Sequence, residues 1–213
     1  MITIHHLGHS QSERIVWLCE ELGLPYELRR YARDPVSLLS PPELKALHPL
    51  GSAPLIQDGA LWLAESAAIV EYLIVRHGGG RFKPGPAHPD FASFLYWFHF
   101  ANGNLQPAMV RMIFLRRVNL PADNPVLVAL QGRLARIFAL VEARLGEAPW
   151  FAGSEFSAAD IMSVVSLTTM RLFQPVDLAP FPNIRSYLQR IGERPAYRRA
   201  MAHGDPDLTP MLD

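Results

Sequence analysis

Gly51-Ser52-Ala53-Pro54-Leu55-Ile56-Gln57-Asp58-Gly59, continued by Leu61-Trp62-Leu63-Ala64-Glu65-Ser66, is the stretch on which the fold of this chain turns. A proline precedes a short apolar run, that run meets Asp58-Gly59, and a second apolar run follows. Asp-Gly between apolar runs is a two-residue hairpin signal, because both turn positions tolerate φ > 0. Proline at a strand's first position gives up no ladder bond that the strand needs. If the Ala53–Pro54 bond is cis, Ala53 turns its backbone N–H and C=O outward, where an extended peptide can pair with them as a further strand. Glu65-Ser66 then places a carboxylate and a hydroxyl at a helix start, beside backbone N–H groups that suit a ligand carboxylate. The pattern suits capture of a small zwitterionic peptide.

Working outward, residues 2–6 read as a strand. Ser10 or Ser12 can cap a helix through Ile15, Val16, Leu18, Cys19 and Leu22, with Gly23 as its stop. Residues 26–30 read as a second strand, and 35–49 as a loop with one or two helical turns. After the hairpin, Ser66 to His77 reads as a helix closed by Gly78-Gly79-Gly80. The order is βαβ, a loop, then ββα. A domain over 1–80 is followed by a linker over 81–89, rich in proline and glycine. Residues 90–213 form an all-helical domain with segments near 89–117, 124–145, 157–173, 183–192 and 195–203. Ser157 and Asp160 are spaced as a capping box, with Phe156 and Ile161 as a hydrophobic staple.

The 213 residues, 49% of them hydrophobic, suffice for one large or two small domains with real cores. Residues 1–80 hold 6 basic and 9 acidic residues and the remainder 14 and 11, so the two parts carry about −3 and +3. Neither part is basic enough to imply nucleic acid. The single cysteine forms no disulfide framework and points to a reducing compartment, the cytoplasm. Neither a signal peptide nor a membrane span is expected.

The βαβ–ββα order, Ala53–Pro54, Glu65-Ser66, the proline-rich linker and the helical second half together resemble the cytosolic glutathione transferases. The resemblance covers essentially the whole chain. His6-Leu7-Gly8-His9-Ser10-Gln11-Ser12-Glu13-Arg14-Ile15-Val16-Trp17 is similar to the bacterial and fungal branch that carries a serine at the end of the first strand. Gln11 stands where that branch usually has arginine, and Ser52 where the family often has lysine. Tyr96-Trp97-Phe98-His99-Phe100-Ala101-Asn102-Gly103 resembles a segment of the same branch, with Asn102 in place of an acid. The resemblance implies an α+β, thioredoxin-like first domain and a helical bundle behind it. It implies glutathione as co-substrate, a homodimer and a role in detoxification.

Within that frame Ser10 is the expected catalytic residue, its hydroxyl donating to the glutathione sulfur, with Ser12 as runner-up. Glu65 and Ser66 are expected to hold the γ-glutamyl end, Ala53 and Pro54 the peptide backbone, and His48 the glycyl carboxylate. Arg14 either tunes the site or forms a salt bridge within the domain. Asn104, Ala108, Arg111 and Met112 share a helix face and are candidates to line a pocket for a small apolar electrophile. His5, His6 and His9 lack the ligand spacing of a metal centre, since a strand puts His5 and His6 on opposite faces. Cys19 reads as packing. The alternatives to a transferase are a non-catalytic ligand-binding or adaptor protein, and a narrower glutathione-dependent isomerase, dehalogenase or peroxidase.

Overall fold

The computed structural model describes all residues, 1–213. The chain divides into two compact units, Met1–Lys83 with Gly192–Pro210, and Pro84–Ile191 with Met211–Asp213.

The first unit is built on a four-stranded sheet in the order β2-β1-β3-β4. Its elements are β1 (Ile2–Leu7), α1 (Glu13–Leu22), β2 (Tyr26–Tyr31), α2 (Pro42–Lys45), β3 (Leu55–Asp58), β4 (Leu61–Ala64) and α3 (Ser66–Arg76). β1 and β2 are parallel, as a βαβ unit requires, and β3 runs antiparallel to both β1 and β4. Ile4, Ile56, Ile15, Val16, Ile69, Val70 and Leu73 are fully buried and form the layer between the sheet and the helices α1 and α3. Gly23 stops α1 at φ 67°, a left-handed value that glycine adopts without a Cβ clash.

One local expectation is corrected and another is resolved. Asp58 pairs with Leu61, so the hairpin loop is Gly59-Ala60 rather than Asp58-Gly59. Only Gly59 takes a positive φ, 60°, which fits a turn with glycine at its first central position. Of the two serines offered as caps, Ser12 makes no side-chain cap to α1, whereas Ser10 Oγ accepts the Ser12 N–H at 3.2 Å and so caps the turn that leads into the helix. The backbone carbonyls of Ser10, Gln11 and Ser12 close the rest of that turn.

A last helix, α9 (Pro195–Gly204), belongs to this first unit and lies along α1. Trp17 meets Tyr197 edge-to-face at 5.0 Å. Arg194 pairs with Glu21 through both carboxylate oxygens, at 2.6 and 2.8 Å. Arg199 reaches Glu20 at 2.7 Å. The sequence alone places this segment among the helices of the second half, since its apolar stripe does not say what it covers.

The second unit is helical: α4 (Phe91–Phe100), α5 (Gln106–Leu115), α6 (Pro125–Glu147), α7 (Ala158–Leu167) and α8 (Pro182–Glu193). The segment expected as one helix over 89–117 is interrupted by a π-turn at Ala101–Leu105, where the Gln106 N–H reaches the Ala101 carbonyl. Pro107 supplies the cause, because it has no N–H for the preceding turn. α7 is buried along its whole length, and Phe94, Phe98, Phe138, Phe151 and Tyr187 are buried in the same unit. The capping box forms: Ser157 Oγ accepts from Ala159 N–H, and Asp160 accepts from Ser157 N–H at 2.9 Å. No helix is long and apolar enough to cross a membrane.

Candidate functional site

The junction between β1 and α1 gathers most of the chemistry-bearing residues. Ser10 is half-buried, whereas Ser12 is fully buried. Their hydroxyl oxygens lie 2.7 Å apart, and the Ser12 N–H donates to Ser10 Oγ at 3.2 Å. Ser12 Oγ is otherwise directed inward. It lies 2.9 Å from His6 Nδ1, accepts from the Leu7 N–H at 3.1 Å, and sits 3.3 Å from the Leu7 carbonyl oxygen. His6 is fully buried, and its Nε2 lies 3.2 Å from Asp205 Oδ2. Asp205 follows α9 directly and accepts from the His9 N–H at 2.9 Å. Burial pushes the Asp205 carboxyl up, but the His6 imidazole and the His9 N–H outweigh it and hold it below the ordinary aspartate range. Arg33 braces the same loop, donating to the carbonyls of Gly8 at 3.0 Å and His9 at 3.1 Å.

Gln11 connects this junction to the hairpin and to α3. Its Nε2 donates to the Ala53 carbonyl at 3.3 Å, and its Oε1 accepts from Ser66 Oγ at 3.4 Å and from Arg14 Nη1 at 3.0 Å. Arg14 also donates to Ser66 Oγ at 3.0 Å. Burial pushes the Arg14 guanidinium down to about 9, which leaves it charged at neutral pH. Arg14 therefore orients Gln11 and the buried Ser66. The Ala53–Pro54 peptide is cis. Glu65 is exposed at the start of α3 and holds φ 72°, ψ 110°, a backbone state that a non-glycine residue occupies at a cost of about 1–3 kcal/mol and that clusters at ligand sites.

His48 turns back on its own loop, Nδ1 accepting the Leu50 N–H at 3.2 Å. Ala108 and Met112 on α5 are buried, 5% exposed each, while Arg111 is exposed. Asn104, within the π-turn, accepts from Arg133 Nη2 at 2.9 Å. Cys19 is buried and its thiol is pushed up to about 12 by desolvation, which leaves it unreactive. His5 and His6 face opposite sides of the sheet; His5 stacks on Tyr31 and Trp62.

Three residues of this constellation carry no signal in the chain that marks them for the site: Gln11, His6 and Asp205. Gln11 stands out only as a departure from a pattern. His6 is one of several histidines, and Asp205 lies far along the chain from the strand it meets.

Two family models match, the glutathione S-transferase N-terminal domain over residues 10–75 and the glutathione S-transferase C-terminal domain over 105–195. Glutathione S-transferase 3 of Schizosaccharomyces pombe is 31% identical, over 94% of this chain and 86% of its own length. The crystal structure of a glutathione S-transferase from Actinobacillus pleuropneumoniae is 34% identical with a TM-score of 0.87, covering 96% of this chain and 93% of that one. A glutathione transferase family member from Pseudomonas fluorescens, solved with two glutathione bound, shares the fold at 22% identity and a TM-score of 0.77, covering 94% of this chain and 92% of that one. Matches in both halves, with the sheet order and the β1–α1 serine junction described above, make this chain a member of the glutathione S-transferase family.

Proposed function

We propose that the protein binds glutathione, holds its thiol as thiolate beside Ser10, and transfers the sulfur to an electrophilic carbon of a small apolar molecule. The sulfur lone pair forms the new S–C bond while a leaving group departs or a polarised double bond takes up the electrons, and the thiol proton passes to solvent. A free thiol with pKa near ~8.5 is mostly protonated at neutral pH. Lowering it by about two units requires roughly 2.7 kcal/mol. One hydroxyl donating to the sulfur, aided by the positive end of α1, is of the right size to supply this.

The observation that carries this reading is the position of Gln11. Its single amide contacts both the Ala53 carbonyl and the Ser66 hydroxyl, next to the Ser10–Ser12 turn. A thiol-donor candidate, a peptide-pairing edge and a helix start thus share one small region of the first unit. In this assignment Glu65 meets the ligand's α-ammonium, and Ser66 with its N–H meets the α-carboxylate. Ala53 and Pro54 align the cysteinyl backbone, and His48 stands for the glycyl end. Residues 1–80 are assigned the glutathione site, 81–89 the linker, and 90–213 the helices that receive the electrophile, with Asn104, Ala108, Arg111 and Met112 as candidates. A buried lone cysteine suits a reducing, cytoplasmic setting. A detoxifying role follows from the reaction class.

Retention on immobilised glutathione, followed by a thiolate-absorbance titration of the bound ligand, tests the reading. Retention with a thiol pKa well below that of free glutathione supports a transferase. Retention with an unshifted thiol favours a binding module, and no retention removes glutathione from the assignment.

A further inference from the structure

Four polar groups run inward from Ser10 in one row: the Ser10 hydroxyl, the Ser12 hydroxyl at 2.7 Å, His6 Nδ1 at 2.9 Å from Ser12, and Asp205 Oδ2 at 3.2 Å from His6 Nε2. The outer end is half-buried and the other three members are buried. A hydroxyl has one hydrogen and two lone pairs. Two hydroxyl oxygens 2.7 Å apart need a hydrogen between them, and its owner decides whether Ser10 can donate outward.

His6 decides the owner. Its Nε2 faces a buried carboxylate, so that nitrogen carries a hydrogen; a bare lone pair there would be repelled. If Nδ1 is bare, Ser12 donates its only hydrogen to Nδ1. Ser10 must then donate inward to Ser12 and has nothing for a thiol. If Nδ1 also carries a hydrogen, it donates to Ser12 Oγ. The Leu7 N–H fills the second lone pair of that oxygen. Ser10 then finds no lone pair on Ser12. The Ser12 hydrogen has two acceptors left, the Leu7 carbonyl at 3.3 Å and Ser10 Oγ at 2.7 Å, and the shorter contact, which needs a hydrogen, takes it. The hydrogen of Ser10 itself points outward.

We propose that His6, protonated on both ring nitrogens against the Asp205 carboxylate, is a positioning residue that turns the Ser10 hydroxyl hydrogen outward toward the glutathione sulfur, with Ser12 as the connector. The inference rests on the reading of Ser10 as the thiol's donor. The contact between His6 Nε2 and Asp205 Oδ2 is close but not aligned as a hydrogen bond, the geometry of a charge pair. Asp205 accepts the His9 N–H and is held ionised by its surroundings. The other charged or titratable groups around the pair are His9, whose Nε2 is 4.0 Å from Asp205 Oδ1; Arg33, braced on the Gly8 and His9 carbonyls; and Arg30, the exposed register partner of His6 on β2.

The test is a double-mutant cycle read on the thiolate titration of glutathione bound to the full-length protein. Asp205→Asn keeps an acceptor for the His9 N–H and removes the charge. The expected result is a rise of about one unit in the bound-thiol pKa, roughly tenfold less thiolate at low pH, and no further rise when Asp205→Asn is added to Ser10→Ala. An unchanged titration in Asp205→Asn, or an equal rise in both backgrounds, overturns the relay. Ser10→Ala separates the two levels. If it alone leaves the titration unmoved, the reading of Ser10 fails and takes the relay with it. If it raises the pKa while Asp205→Asn does not, only the relay fails. A measurement on the unmutated protein covers a variant that does not fold: the imidazole nitrogen chemical shifts of His6 in the glutathione complex at neutral pH. Two protonated nitrogens support the relay, and one bare nitrogen overturns it.

Discussion

Glu65 combines an exposed carboxylate with a left-handed φ of 72°, while its carbonyl already accepts the Ile69 N–H of α3 at 2.9 Å. A residue chosen for stability alone would be glycine there. Glu65→Gly and Glu65→Ala should both weaken glutathione binding, because both remove the partner of the ligand's ammonium. Glu65→Gly should be the more stable of the two by about 1 kcal/mol, since glycine takes this φ without strain. Calorimetric titration with glutathione and urea denaturation measure the two effects separately. Affinities equal to that of the parent protein would remove Glu65 from the site. Ser10→Ala should cost about 1 kcal/mol of stability, since the Ser12 N–H loses its acceptor and the Ser12 hydroxyl loses one of its partners but keeps the Leu7 carbonyl, while slowing turnover of a generic electrophile; unchanged turnover would show that another group activates the thiol. Ala53, Pro54, Glu65 and Ser66 were legible in the sequence because a turn signal, a proline and an acid-hydroxyl pair are consecutive. His6 and Asp205 were not. Their meeting is a product of tertiary packing, and no local spacing encodes it.

At the scale of elements, the capping box that starts α7 is the most telling. Asp160 is fully buried, and desolvation pushes its carboxyl up to about 6 against the donors Phe151 N–H, Ser157 N–H, Tyr187 O–H and Ser157 O–H. Its native pKa lies above the ordinary aspartate value of 3.8. Between those two values the folded state binds more protons than the unfolded one, so this group's contribution to stability falls as pH rises from about 4 to 6. Most carboxylates in native proteins behave the opposite way. Urea midpoints of the parent and Asp160→Asn, compared across that range, should show the parent losing ground relative to the variant as pH rises; a constant difference would remove Asp160 as the source. Asp160→Ala should cost about 2–4 kcal/mol at neutral pH, because several buried donors lose their acceptor. Ser157 and Asp160 were readable as a cap from their spacing. The π-turn at 101–105 was not, because Asn102-Gly103-Asn104 and Pro107 mark a weak point in the helix without saying whether it ends, kinks or widens there.

At the scale of the molecule, α4 presents Ala92, Leu95, Tyr96 and His99 on one exposed face, with Leu95 37% and Tyr96 53% exposed. That row of apolar and aromatic side chains favours a two-fold homodimer as the state in solution. Light scattering over a wide dilution range should return twice the monomer mass, and Tyr96→Glu should shift the equilibrium toward monomer. A monomer mass throughout would assign this face to solvent. The −3 and +3 of the two halves are too small to hold such an assembly, so apolar contact at about 25 cal/mol per Å² would supply most of the energy.

The return of α9 to α1 has a consequence in time rather than in space. Trp17 and Glu21 are synthesised long before their partners Tyr197 and Arg194, and 173 positions separate Glu21 from Arg194. The strands and helices of the first unit can associate early, but one face of α1 stays uncovered until α9 has been made. The same holds for His6, whose acid arrives at position 205. A nascent chain therefore carries an incomplete site throughout the synthesis of the whole second unit's helices, and the site closes only after α9 emerges. Any truncation that spares both family domains but removes the final turn of α9 leaves the enzyme in that unfinished state.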